Sequence, residues 1–109
     1  MMQKIISFEV DDLAVDAEEV VNTINNACTK RHDKYKVRGI CQIEPHVYFV
    51  LLPLRQHEEP ERYVLIDVQD TSHDGFVALL NERWSADFDT VGTIEVYEDT
   101  KILFATARH

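Results

Sequence analysis

The most constraining stretch of this chain is Val47–Leu54, VYFVLLPL, which is apolar at both strand parities. Val47, Phe49, Leu51 and Pro53 fall on one face of an extended segment, and Tyr48, Val50, Leu52 and Leu54 on the other. An ordinary half-exposed strand alternates apolar with polar, so this one wants a central position, or one face on the core and the other on a partner subunit. Pro53 has no backbone N–H to give a ladder, and it marks the end of the strand or a bulge at an edge. The rest of the chain must supply one covering layer, and either the chain or a partner must supply the other.

The remaining segments divide by period. Lys4–Val10 alternates, with Ile6, Phe8 and Val10 on one side. YKVRGICQI places Tyr35, Val37, Gly39, Cys41 and Ile43 together, and YVLIDVQD sets Val64, Ile66 and Val68 inward. A closing hairpin is read from TVGTIEVY, the turn EDT and KILFATA. Gly39 and Gly92, inside strands, mark bulges, bends or a close backbone approach. A helix opens at Asp16, with Glu19 three residues on and Val15 set to staple against Val20. Its apolar stripe is Ala17, Val20, Val21, Ile24, Ala27 and Cys28, and it ends near residues 30–32. A second helix opens at Thr71 or Ser72 and carries Phe76, Leu79, Leu80 and Arg83 along one stripe, the arginine snorkelling from its edge.

The predicted order is β-α-β-β-β-α-β-β, with no repeat at short period. It describes one α+β domain over residues 1–109: a two-layer sandwich with both helices on one face of a mainly antiparallel sheet. By element order alone it resembles the ferredoxin-like core, with one hairpin added. Residues 36–54 read as two strands, the alternative being one long bent strand. Val20, Ile24, Cys28, Ile66, Val68, Phe76 and Leu80 are expected to share one core.

At 109 residues the chain has room for one core and no separate catalytic domain. No apolar run approaches the length of a membrane span, and the N-terminus lacks the apolar region of a targeting signal. Cys28 and Cys41 read as free, buried thiols of a cytoplasmic protein. The net charge of -9 disfavours duplex nucleic acid as a partner. The basic stretch KRHDKYKVR, residues 30–38, runs against that balance. The simpler reading gives its cations to the dipole at the helix end and to a solvated loop, while an anion site is the sharper one.

Glycine-rich phosphate loops, a nucleophile elbow, paired cysteine ligands and zinc or calcium motifs do not occur in the sequence. His57, Glu58, Glu59 and Glu61 cluster between strands and read as a solvated turn rather than a metal site. Asp67, Asp70, His73 and Asp74 gather where a strand meets the second helix, and Asp67 orienting His73 would suit proton transfer. Cys41 with His46 lacks a third, orienting residue.

The favoured reading is a non-enzymatic domain that joins copies of itself or another protein, with Tyr48, Val50 and Leu52 in the interface. The alternative is a sensor of a small molecule or anion, drawing on Arg38, Tyr48, Arg55, Asp67 and His73 for its ligand. A small enzyme using His73 with Asp67 is the third. No cofactor and no metal are called for.

Overall fold

Two three-stranded antiparallel sheets meet along one seam in the computed structural model, which describes residues 2–106. In chain order the elements are β1 (Lys4–Glu9), α1 (Val10–Val15), α2 (Ala17–Cys28), β2 (Tyr35–Ile43), β3 (His46–Pro53), β4 (Tyr63–Asp67), α3 (His73–Ser85), β5 (Phe88–Val96) and β6 (Asp99–Thr106). The α+β sandwich of antiparallel strands with packed helices holds, in the expected order with the short α1 added. It is consistent with a ferredoxin-like β-α-β arrangement. Residues 36–54 form a hairpin, β2 and β3, around the Glu44–Pro45 turn.

Each half of the chain is a β-α-β-β unit with the same strand order, β1-β3-β2 and β4-β6-β5. The register repeats as well. Gly39 faces Val50 and Ile43 faces His46 in the first half; Gly92 faces Leu103 and Val96 faces Asp99 in the second. Both β2 and β5 shift register immediately before the glycine, between Val37 and Gly39 and between Thr90 and Gly92. The two bulged strands lie side by side. A Cβ built on Gly92 would stand 3.3 Å from Ile40 Cδ1, so glycine there permits the close approach.

The core is double where one was expected. Val20, Ile24 and Cys28 pack with Phe49, Leu51, Leu103 and Ala105, whereas Val68, Ile66, Phe76 and Leu80 pack with Ile102 and Phe104. The alternation of β6 explains the division: Leu103 and Ala105 point to α1 and α2, and Ile102 and Phe104 to α3. The helix placement is thereby refined. Instead of sharing one face, α2 and α3 lie on opposite faces of the second sheet.

Local chemistry accounts for the element ends. Asp16 accepts a hydrogen bond from Glu19 N at 3.1 Å and caps α2, and Ser72 accepts from Gly75 N at 3.2 Å and caps α3. Val15 does not staple: α1 carries it into solvent, 86% exposed, and Leu13 takes the buried place. Helix α2 stops at Cys28, so Lys30 and Arg31 lie beyond its last turn rather than in it. The β2 bulge breaks the expected alternation. Val37 is buried, while Cys41 and Ile43, on the far side of the extra residue, are exposed. Arg83 does not snorkel; its guanidinium lies over the Phe88 and Phe104 rings, with Nε buried and unpaired.

Candidate functional site

The side of the first sheet turned away from α2 lies outside both cores. Tyr48, Val50 and Leu52 are half-buried, and neither core includes them. Register extends the patch: Ile5 pairs with Val50, and Cys41 with Tyr48. Ile5 is 48% exposed and Ile43, beside His46, 71% exposed. His46 and Tyr48 bring their rings to 5.9 Å on this face. Cys41 is thus an exposed thiol, contrary to expectation, because the bulge moved it out of the core. Cys28 is fully buried, and burial pushes its thiol up to about 11, beyond ready nucleophilic use.

A second feature lies at one end of the same sheet. Lys36, Arg38, Leu52, Pro53, Arg55 and Glu58 line a cleft of about 310 Å³. Glu58 accepts from Lys36 Nζ and from the Arg55 backbone N–H at 2.9 Å; the Lys36 hydrogen bond, with that N–H, holds its carboxyl below the usual range. Next to it, a cleft of about 180 Å³ opens where the bulged parts of β2 and β5 separate, with Glu61 and Asp89 in its wall. Desolvation, reinforced by the Asp89 charge, pushes Glu61 up. A cavity of about 640 Å³ lies between α2 and the loop before β4, lined by Asn22, Asn26, Lys34 and Arg62 among others. There Asn25 does structural work: its side-chain amide donates to Tyr63 O at 3.2 Å and accepts from Tyr63 N at 2.8 Å.

The residues singled out in the sequence separate into two groups. Arg38 and Arg55 come together in the 310 Å³ cleft, with Leu52 in its wall. Tyr48 stays on the open face. Asp67 is engaged by Lys101, whose Nζ donates to Oδ1 at 2.6 Å, and His73 stands exposed at the first position of α3. Asp70 serves the turn before α3, accepting from Ser72 N at 2.9 Å; hydrogen bonding from the Ser72 side chain, with that N–H, holds its carboxyl below its ordinary value. Lys36 is the member of the cleft that sequence reasoning missed. Its place in the basic stretch was visible; its pairing with Glu58, from the loop following β3, was not.

Among the described residues no group of three or more His, Cys, Asp or Glu is placed to hold a metal ion. None of their helices is long and apolar enough to cross a membrane. Comparison of the chain with protein-family models, curated proteins and solved structures finds no match.

Proposed function

We propose that this chain is a non-enzymatic, homo-oligomerising domain of the cytoplasm, joined to a second copy through the open face of its first sheet. One comparison within the molecule carries the reading. Val50 and Leu52 hold the register positions that Leu103 and Ala105 hold in the second half. Leu103 and Ala105 are almost wholly buried beneath α1 and α2, while Val50 and Leu52 are only partly buried. Ile5, Ile43 and Tyr48 widen the same apolar area, and monomers seldom leave large contiguous patches of this kind in water. A two-fold contact that repeats the patch is the simplest cover, and a stable one buries roughly 1,000 Å² or more.

Sedimentation equilibrium at low micromolar concentration tests this. The expected species has twice the chain mass of 12.7 kDa. Ile5→Lys with Ile43→Lys, at side chains already exposed, should return it to the single-chain mass with an unchanged circular dichroism spectrum. Alkylation of Cys41 should slow as protein concentration rises. A wild-type species at 12.7 kDa throughout would overturn the proposal.

A further inference from the structure

The cations of this acidic chain are concentrated. Lys36, Arg38 and Arg55 line the 310 Å³ cleft at the end of the first sheet, and Arg31 and Lys34 line an adjoining cleft of about 290 Å³. The two clefts meet at Pro53, Arg55 and Glu58, and through Lys36 and Arg38 the 310 Å³ trough also borders the 180 Å³ cleft that carries Glu61 and Asp89. Among the described residues lining the 310 Å³ part the one carboxylate is Glu58, and it is committed to Lys36 and to the Arg55 backbone N–H. No described residue forms an ion pair with the guanidinium of Arg38 or of Arg55. Glu61 and Asp89, in the adjoining 180 Å³ cleft that Lys36 and Arg38 also line, offset part of this positive charge.

The position of Arg38 sharpens the point. It is the extra residue of the β2 bulge, and its counterpart in the β5 bulge is Val91, which packs against the first core. The same backbone device therefore turns an apolar side chain inward in one half and sends a guanidinium to a cleft in the other. Arg55 reaches the cleft from the loop after β3. Leu52 and Pro53 supply an apolar wall between them.

The geometry points to this trough as a binding site for a small phosphate-bearing molecule, with the guanidiniums of Arg38 and Arg55 on phosphate oxygens, Lys36 and Glu58 fixing one side, and Leu52 and Pro53 against the organic part. Planar guanidinium forks match phosphate oxygens with paired hydrogen bonds. A small ligand is favoured over an extended polyanion because the trough is concave and the remaining surface repels negative charge at long range. The site lies within one chain and needs no paired copy.

Inorganic pyrophosphate is the probe, followed by calorimetry and by backbone amide NMR shifts on the full chain. Saturable binding is expected, with shifts confined to residues 31–39 and 52–58, and weaker at higher salt. Arg38→Gln with Arg55→Gln should weaken it at least tenfold, as loss of charge-assisted contacts does. Arg62→Gln removes the same charge from the separate 640 Å³ cavity and should change it less than twofold. Three results would overturn the proposal: no saturation by several millimolar pyrophosphate, an equal loss in Arg62→Gln, or retention on phosphatidylserine vesicles without pyrophosphate binding.

Discussion

The side-chain amide of Gln42 holds the backbone of Glu95 from both sides: Nε2 donates to Glu95 O at 2.6 Å and Oε1 accepts from Glu95 N at 3.0 Å. The two residues are 53 positions apart and occupy equivalent places in the two β-α-β-β units. One half of the molecule thus reads the other as if it were a neighbouring strand, where β2 and β5 do not themselves join into one sheet.

Gln42→Ala should therefore loosen the seam. Two exposed hydrogen bonds are lost and water replaces them, so urea denaturation should show a cost of about 1 kcal/mol. Gln42→Glu keeps the acceptor but loses the donor, and places a carboxylate beside a carbonyl oxygen. It should be no less destabilising than alanine.

Gly75 tests a conflict between propensity and contact. Helix propensity favours Gly75→Ala by about 1 kcal/mol. A Cβ there would stand 2.1 Å from Asp70 Oδ2, displacing the carboxylate from Ser72 N. In the wild-type background the substitution should give no gain. After Asp70→Ala, which clears the space, Gly75→Ala should stabilise by most of the propensity difference, measured as a double-mutant cycle.

The two cores should respond unequally. Ile24 is fully buried between α2 and both sheets, so Ile24→Ala should cost about 3–4 kcal/mol in denaturant unfolding. Leu80 is only half-buried, on a helix with no fully buried residue, and Leu80→Ala should cost about 1–2 kcal/mol.

Glu61 makes stability pH-dependent in a stated direction. Its folded-state pKa is raised, so the neutral carboxyl is favoured in the folded state. The stability this contributes is complete below the unfolded value and lost as pH rises through the folded one. Glu61→Gln should consequently be more stable than wild type at pH 7 and equal to it near pH 3, compared by thermal melts.

Much of the candidate site was legible, though in separate pieces. The doubly apolar Val47–Leu54 asked for a central position or a partner on one face; β3 is the central strand of its sheet, and Tyr48, Val50 and Leu52 on its second face are partly buried. The pairing of Asp67 with His73 failed for a local reason: Lys101 lies directly across the ladder from Asp67 and takes its carboxylate. Cys41 was misplaced because a bulge adds one residue, and one residue reverses strand parity.

By itself the sequence determined what depends on neighbours within a few residues: strand and helix periods, the caps at Asp16 and Ser72, the irregularities at Gly39 and Gly92, and the ends of the hairpins. The tertiary structure decided what depends on distant partners. It repeated the β-α-β-β unit, put α2 and α3 on opposite faces of the second sheet, and brought Arg55 to Arg38 and Lys36. The repeat escapes the residues because register and burial, rather than side-chain identity, are what the halves share; Lys101 stands where Tyr48 stands in the first. Periodicity reports that a face is apolar, but which layer covers it is set by how the sheets pack across the seam, through contacts such as Gln42 with Glu95.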